Sequence, residues 1–206
     1  MSSKEEISPT PESPSSAPDI RDFLRGDTSF TTVTGRQFDP FDPQPEDIHI
    51  LDIAHALSNT CRYGGMSQFY YSVAQHSGHV MGHLKGEYAF WGLMHDAAEA
   101  YVGDMPTPFK PFMKNFDEVE DGILRVIADK FGLKWVGDHG VPPAVKAVDR
   151  RMLFTEARQL LPGCGWCKYN PQWPETAGFE LQIPKMSNED AEKAFLGAFS
   201  KLYYKR

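Results

Sequence analysis

The apolar residues of this chain recur at helical spacing through most of its length. A first helix is predicted from Asp47 onward, with Asp47 or Asp52 as the acidic residue at its start. Its apolar face consists of Ile48, Leu51, Ile53, Ala54 and Leu57. The same spacing predicts five further helices, at residues 67–84, 87–101, 116–131, 143–161 and 188–204, and Ser187 is the expected N-cap of the last one.

Extended structure is predicted only on the N-terminal side of these helices. Residues 30–34 have the composition of a short strand, and the three prolines among residues 39–45 exclude a helix there. This strand content is too small for a sheet that could organise a domain. The sequence therefore predicts an all-α fold, a single helical bundle preceded by an extended arm.

The first residues have the composition of a disordered tail. Residues 1–19 contain four prolines, six serines and three glutamates, with Ile7 as the one large apolar residue after Met1. Such a segment buries too little apolar surface to offset the entropy of ordering, although residues 20–24 could add a helical turn. We therefore expect a Pro/Ser-rich tail at residues 1–28 and one domain at residues 29–206.

Composition and charge agree with this division and exclude several classes of function. The chain has 206 residues, of which 41% are hydrophobic and 24% are charged, as in an ordinary globular domain. Its net charge of -7 at pH 7 is opposite in sign to a surface that binds nucleic-acid polymers. There is no apolar run of about 20 residues and no signal peptide. We expect a cytoplasmic protein that binds neither a membrane nor a nucleic-acid polymer.

The three cysteines leave alternatives open. An odd number without a secretion signal fits reduced thiols better than a disulfide framework. Cys164 and Cys167 form a C-x-x-C in a Gly/Pro-rich segment, outside the strand and helix context of a redox motif. The favoured interpretation is incidental loop cysteines. A metal half-site, for which Cys61 is a possible partner, and a redox pair are the alternatives.

Helix three carries the first residues that point to chemistry, His95, Asp96 and Glu99. Spacings of three and four place them on one side of the helix. Their neighbours Leu93, Met94, Ala97 and Ala98 are apolar and indicate burial. Burying an imidazole and two carboxylates without compensation is costly, and a divalent cation would remove that cost. Solvation or local pairing is the alternative for each of them taken alone.

Further ligands of such a cation would come from helices two and five. Helix two places His76, His79 and His83 on one face, and only one of them is needed as a ligand. In helix five, Asp149 is the best candidate, with an ion pair to the two arginines that follow it as the alternative. Nitrogen and oxygen ligands suit Mn²⁺, Co²⁺, Fe²⁺, Ni²⁺ or Zn²⁺ better than a soft metal.

These residues resemble the H…HD…D signature of the HD-domain metal-dependent phosphohydrolases. The adjacent pair is His95-Asp96, with His76 upstream and Asp149 downstream. The resemblance covers residues 30–161 and is strongest for the small single-domain branch, which contains bacterial 5'-deoxynucleotidases of the YfbR type and phage dATP triphosphohydrolases. Its most distinctive part is the string from Glu99 through Gly-Asp-Met-Pro-Thr-Pro to Lys110. The Gly-Arg-x-Phe-Asp-Pro arm and the Arg-Tyr-Gly-Gly turn at residues 62–65 are similar to phage and prophage members.

The resemblance implies an HD-domain fold and a role for each matching residue. The metal ligands would be His76, His95, Asp96 and Asp149, holding one divalent transition metal, with a second metal as an option. Arg62 would orient a phosphate, and Glu99 and Asp104 would position and activate the attacking water. The substrate-binding residues would be Arg62, Tyr63, Asp104, Thr107 and Lys110.

The activity implied is hydrolysis of 2'-deoxynucleotides at the α-phosphorus, above all of dATP, with release of deoxynucleoside and of triphosphate or phosphate. Tyr63 stands where the bacterial nucleotidase has a tryptophan that disfavours a 2'-hydroxyl. One alternative is a 5'-deoxymononucleotidase of broad base preference. An alternative of another class is a non-catalytic HD scaffold that senses a nucleotide or binds a partner.

Two further expectations concern the surroundings of the site. Positive charge is expected to gather there from Arg62, Lys110, Arg150 and Arg151, so that a small anion binds despite the net charge of -7. The resemblance also implies a homo-oligomer, in the host cytoplasm if the protein is phage-encoded. Tyr203 and Tyr204 either contribute to an interface or simply finish the last helix.

Overall fold

The computed structural model describes residues 28–161, 163 and 178–205. In these ranges the chain forms seven α-helices: α1 (Ile50–Asn59), α2 (Val73–Gly82), α3 (Glu87–Met94), α4 (Glu99–Val102), α5 (Phe116–Phe131), α6 (Pro143–Leu160) and α7 (Asn188–Tyr203). Two 3-10 turns lie at Arg62–Gly65 and Lys110–Phe112. The predicted all-α fold is confirmed. The predicted tail up to residue 27 and the Cys164/Cys167 pair lie outside the described residues.

The extended arm is a small hairpin fastened to α1. Strands β1 (Phe30–Thr31) and β2 (Gln37–Phe38) pair antiparallel, so the strand predicted at residues 30–34 is shorter than expected. Asp52 on α1 is almost fully buried and accepts hydrogen bonds of 2.8 Å from both the backbone N–H and the hydroxyl of Thr34. Phe38 is fully buried and stacks on Tyr101 with 3.9 Å between ring centroids. The arm is therefore part of the core.

The main core lies between α1, α2, α3, α5 and α7. Helix α7 closes it with Phe195 and Phe199, and its N-cap is Ser187, as predicted, because the Ser187 hydroxyl accepts a hydrogen bond from the Asp190 N–H. Tyr203 stacks on Phe199 at 5.1 Å and so finishes the core, whereas Tyr204 is 76% exposed. Among the described helices, none combines the length and the apolar content that a membrane crossing requires.

Two of the predicted helix starts are wrong for local reasons. Helix α1 begins at Ile50, and its N-cap is His49, whose Nδ1 accepts from the Leu51 N–H, so neither predicted acid caps it. Helix α2 begins at Val73 instead of residue 67. The residues before it form the 3-10 turn at Arg62–Gly65 and a loop, which the β-bridge between Cys61 and Ser72 closes, and the Ser72 hydroxyl caps the helix.

The predicted third helix is two helices separated by a tight turn. Helix α3 ends at Met94 and α4 begins at Glu99. Between them, the Ala97 N–H bonds to the Met94 carbonyl and the Glu99 N–H to the Asp96 carbonyl, each three residues back. His95, Asp96 and Glu99 therefore do not lie on one regular α-helix, although their spacing predicted that they would.

Close packing of α2 on α3 depends on Gly92. A Cβ built at Gly92 would lie 2.7 Å from Leu84 Cδ1 and 3.1 Å from the backbone Cα and N of Met81. The side chain of Leu84 can move, but the Met81 backbone must give way. A small residue at this position therefore brings the two helices together.

We expect Gly92→Ala to destabilise the protein. Overpacking costs about 1–3 kcal/mol, and better helix propensity returns up to about 1 kcal/mol. The control is Gly122→Ala on α5, where a Cβ would meet nothing within 4 Å and the substitution should be stabilising. Thermal unfolding of the two variants measures both effects, and a Gly92→Ala variant as stable as Gly122→Ala would contradict this packing.

Candidate metal and phosphate site

Three helices bring the four predicted metal ligands to one point. His76 lies on α2, His95 and Asp96 at the end of α3, and Asp149 on α6. The Nε2 atom of His76 lies 3.3 Å from His95 Nε2, 3.5 Å from Asp96 Oδ2 and 3.2 Å from Asp149 Oδ1. His95 Nε2 lies 3.2 Å from Asp96 Oδ1 and 3.8 Å from Asp149 Oδ1.

These separations match the spacing of atoms around one metal ion. With metal–ligand bonds of about 2.1 Å, adjacent ligands in tetrahedral or octahedral geometry lie about 3.0–3.4 Å apart. The ligand atoms of His76, His95 and Asp96 all lie within 4.8 Å of one another. Asp149 has a side chain 39% exposed and so faces the solvent side of the cluster.

In each imidazole, the hydrogen bond at Nδ1 determines that Nε2 is the nitrogen free to bind a metal. His95 Nδ1 lies 2.9 Å from the Gly92 carbonyl, which only accepts hydrogen bonds, so Nδ1 carries the hydrogen. His76 Nδ1 lies 2.5 Å from a carboxylate oxygen of Glu156 and carries a hydrogen for the same reason. Both Nε2 lone pairs therefore point into the cluster, together with two carboxylates, and this donor set fits a divalent transition metal.

The charges of the cluster also favour a bound cation. Burial alone would lower the pKa of His95, but the carboxylates of Asp96 and Asp149 outweigh it and raise that pKa well above its usual value. Burial alone would raise the pKa of Asp96, and the imidazole of His95 instead lowers it to about 2. The cluster thus attracts positive charge at its centre, which either a proton on an imidazole or a metal ion can supply.

The other two histidines near α2 and Arg151 of α6 have partners outside the cluster. His79 is stacked against Tyr71, and His83, the C-cap of α2, lies against Phe179 with 3.8 Å between ring centroids. Of the three histidines predicted on one face, only His76 therefore reaches the cluster. Arg151 lies over the same Phe179 ring at 4.1 Å, and Arg150 is exposed. The predicted gathering of Arg151 around the metal site is therefore wrong, because an aromatic ring holds its guanidinium.

Arg62 lies beside the cluster, on the 3-10 turn between α1 and α2. It is 9% exposed, and its Nη1 lies 3.5 Å from Asp96 Oδ2. Burial opposes its charge, but Glu156 and Asp96 raise its pKa well above the usual value, so the guanidinium stays ionised. A buried guanidinium next to a metal site is the arrangement that can bind a phosphate.

Tyr63 follows Arg62 in a strained backbone conformation. Its φ of 59° and ψ of 28° lie in the left-handed region, where a residue other than glycine costs on the order of 1–3 kcal/mol. Its hydroxyl donates to Glu156 Oε2 at 3.0 Å, and Gly64 and Gly65 continue the turn with positive φ. This turn fixes the Tyr63 ring and the Arg62 guanidinium together, 5.7 Å apart.

Glu99 and Asp104 lie next to the cluster and have unusual environments. Glu99 is 8% exposed, and its Oε2 has no hydrogen-bond partner among the described residues. Burial, followed by the charges of Asp96 and Asp104, raises its pKa well above the usual value. Burial also raises the pKa of Asp104, which accepts a backbone hydrogen bond from Tyr63. A buried oxygen without a partner is available to a water or a substrate.

Lys110 lines a cleft beside the cluster, and its ammonium group is already paired. This cleft has a volume of about 320 Å³ and is lined by His95, Asp96, Glu99, Lys110 and Glu120, among others. The Lys110 ammonium lies 2.8 Å from Glu120 Oε2, so a phosphate would have to compete with this carboxylate. Thr107 lies in an exposed stretch nearby, and its contact with substrate stays a prediction.

Sequence reasoning missed Glu156, a fully buried carboxylate on α6. It contacts Arg62, Tyr63, Tyr71 and His76. Burial opposes its charge, but His76 and Arg62 lower its pKa to about 2. A signal was present in the sequence, because Glu156 follows Asp149 by seven residues and therefore lies two turns further on the same helix face.

Comparison with known proteins finds relatives in two bacteria. The uncharacterized protein YfdR of Escherichia coli K12 is 41% identical over 129 residues, which cover 63% of this chain and 70% of YfdR. An uncharacterized protein of Rhodobacter capsulatus is 34% identical over 138 residues, covering 62% of this chain and 70% of the relative. No protein-family model matches the sequence.

Proposed function

This chain belongs to the family of the Escherichia coli protein YfdR, and we propose that it is a divalent-metal-dependent phosphohydrolase of 2'-deoxynucleotides, of the HD-domain type. The observation that carries the proposal is the convergence of His76, His95, Asp96 and Asp149 at metal-ligand spacing, with both Nε2 lone pairs directed inward. Arg62 adds to the same site a buried, ionised guanidinium that can bind a phosphate. A metal next to a guanidinium is suited to phosphate esters and anhydrides.

The described residues supply the groups that the reaction needs. Arg62 binds and orients the α-phosphate through its planar guanidinium. A divalent cation held by His76, His95, Asp96 and Asp149 would polarise a phosphoryl oxygen as a Lewis acid and acidify water. Glu99 and Asp104 hold the attacking water and accept its proton, and their raised pKa values make them stronger bases than ordinary carboxylates. In-line attack forms a bond from the water oxygen to the α-phosphorus and breaks the bond from this phosphorus to the 5'-oxygen, which takes up a proton. Deoxynucleoside leaves, together with phosphate from a monophosphate or triphosphate from a triphosphate.

The deoxy preference rests on Tyr63. Its ring is held by the hydrogen bond to Glu156 and by the left-handed turn, so moving the ring would break that hydrogen bond. A fixed, flat ring next to the phosphate-binding arginine can exclude a 2'-hydroxyl from the adjacent sugar. An unpartnered, buried Glu99 also favours an enzyme over a nucleotide-sensing scaffold, because a scaffold gains nothing from a buried carboxylate without a partner.

The net charge suits a small substrate better than a polymer. The chain carries -7 at pH 7, whereas the site combines Arg62 with a cation. A single nucleotide needs only the local field, but a long polyanion would meet the acidic surface as well. Free deoxynucleotides form a cytoplasmic pool, so the proposed substrate places the activity in the cytoplasm. We also propose a homo-oligomer, as the HD-domain resemblance implies.

A nucleotide panel tests the proposal. With Mn²⁺ or Co²⁺ present, we expect purified protein to convert dATP to deoxyadenosine and triphosphate, and to hydrolyse ATP at least about 10-fold more slowly, which is about 1.4 kcal/mol of discrimination. A chelator should stop the reaction. Turnover of deoxynucleoside monophosphates with dATP left intact would assign the protein as a 5'-deoxymononucleotidase. No turnover of any deoxynucleotide would refute the proposed enzyme.

A further inference from the structure

The buried carboxylate of Glu156 contacts both His76, a proposed metal ligand, and Arg62, the proposed phosphate-binding residue. It is 0% exposed, and its two oxygens accept four hydrogen bonds. The donors are His76 Nδ1 at 2.5 Å, Tyr71 Oη at 2.8 Å, Tyr63 Oη at 3.0 Å and Arg62 Nε at 3.2 Å. A carboxylate has about four lone-pair positions, so Glu156 is saturated.

The two oxygens face different parts of the site. Oε1 accepts from His76, a proposed metal ligand, and from Tyr71. Oε2 accepts from Arg62, the proposed phosphate ligand, and from Tyr63, the residue next to it. Since both oxygens belong to one rigid group on α6, a shift of one pair of donors displaces the other pair.

We propose that Glu156 is a positioning residue that makes metal binding and phosphate binding depend on each other. It holds His76 with the hydrogen on Nδ1, so that Nε2 stays free for the metal, and it holds the Arg62 guanidinium at the edge of the same cluster. Metal binding at His76 thereby preorganises Arg62 for phosphate, and by thermodynamic reciprocity phosphate strengthens metal binding by the same factor. The phosphate half of this inference rests on the proposed function, whereas the metal half does not.

Glutamine cannot replace Glu156 in this arrangement. An amide has one oxygen and one NH₂ group, so the NH₂ group must replace either Oε1, which faces His76, or Oε2, which faces Arg62. With NH₂ on the His76 side, it meets the Nδ1 hydrogen, and the imidazole must move its hydrogen to Nε2, where it blocks the metal. With NH₂ on the other side, it meets the Nε hydrogen of Arg62 and displaces the guanidinium. Either orientation breaks the connection.

Calorimetric titration of metal-free protein tests the inference, with Mn²⁺ and inorganic phosphate as probes. For the unmodified chain, we expect phosphate to bind more tightly when Mn²⁺ is present. For Glu156→Gln, we expect Mn²⁺ affinity to fall about 10–100-fold, as for other partners of metal-bound histidines. We also expect the effect of Mn²⁺ on phosphate affinity to shrink to the part carried by the contact of Asp96 with Arg62 and by the charge of the ion. Asp52→Asn is the matched control, since it makes the same change at a carboxylate that is 3% exposed and bonded to Thr34.

The control should lose thermal stability and keep the Mn²⁺ affinity of the unmodified chain. If Glu156→Gln fails to fold, Tyr71→Phe and Tyr63→Phe each remove one donor from one oxygen. Tyr71→Phe should weaken Mn²⁺ binding more than phosphate binding, and Tyr63→Phe should do the opposite.

The inference is overturned if Glu156→Gln binds Mn²⁺ and phosphate as the unmodified chain does, or if the two tyrosine variants behave alike. Reciprocal binding of Mn²⁺ and phosphate without turnover of any deoxynucleotide would leave this inference standing and remove the proposed enzyme. An unmodified chain that binds no Mn²⁺ would overturn both.

Discussion

Asp96→Ala is expected to abolish metal binding and deoxynucleotide hydrolysis together. Asp96 lies within 3.5 Å of both histidine Nε2 atoms and of Arg62 Nη1, so its removal takes one carboxylate from the centre of the cluster and one ion-pair partner from Arg62. We expect turnover to fall at least about 10³-fold, which corresponds to about 4 kcal/mol of transition-state stabilisation. Mn²⁺ titration and a dATP assay on the same preparation measure both losses.

The control for this variant is Asp129→Ala, at an exposed position on α5 remote in sequence from every ligand. It should keep both metal affinity and activity. Asp96→Asn is a second test, because it keeps the size of the side chain and removes its charge. Normal turnover in Asp96→Ala would show that the cluster is an ion-pair network with no part in catalysis.

Glu99→Gln is expected to separate chemistry from metal binding. Glu99 is not among the clustered ligand atoms, but it lines the same cleft as His95 and Asp96, and its buried Oε2 has no hydrogen-bond partner among the described residues. We expect kcat to fall by about 10²–10⁴-fold, as for loss of a general base, while Mn²⁺ affinity stays near that of the unmodified chain. A parallel loss of metal binding would show that Glu99 is a ligand instead.

The pH dependence gives an independent check on the same residue. A base works as the ionised carboxylate, so the rate rises as pH rises through its pKa. Because burial and the carboxylates of Asp96 and Asp104 raise the pKa of Glu99, this rise should occur at higher pH than for an ordinary glutamate. In Glu99→Gln, the remaining activity should lack this limb. An unchanged profile would assign the proton transfer to another group.

Local chemistry made several helix boundaries predictable. The bounds of α5 match the prediction at both ends, because its apolar spacing is regular and Gly132 follows it with positive φ. Ser187 caps α7 as predicted. The predictions were wrong where tertiary contacts compete with local preference. The bridge from Cys61 to Ser72 closes a turn and loop where a helix was predicted, and the turn between α3 and α4 interrupts a stretch whose composition is helical throughout.

The candidate ligands were visible in sequence because each is an ionisable residue within an apolar helical pattern. That pattern places His76 and Asp149 on buried faces but does not say that those faces meet. Gly92 lets α2 approach α3 closely, and the packing of α6 against both brings Asp149 to the histidines. Glu156 was missed for a related reason, since a lone glutamate in a helix usually faces water.

The all-α class, most of the helices and the residue types of the candidate metal cluster follow from the sequence, because helical periodicity and side-chain chemistry are local properties. Which groups face one another depends on how the helices pack. The tertiary structure directed both Nε2 lone pairs inward through hydrogen bonds to Gly92 and Glu156, and it moved Arg151 onto an aromatic ring. The bond from His95 to Gly92 is local, but His76 and Glu156 lie 80 positions apart and Arg62 and Glu156 lie 94 apart, and no local pattern encodes contacts of that range.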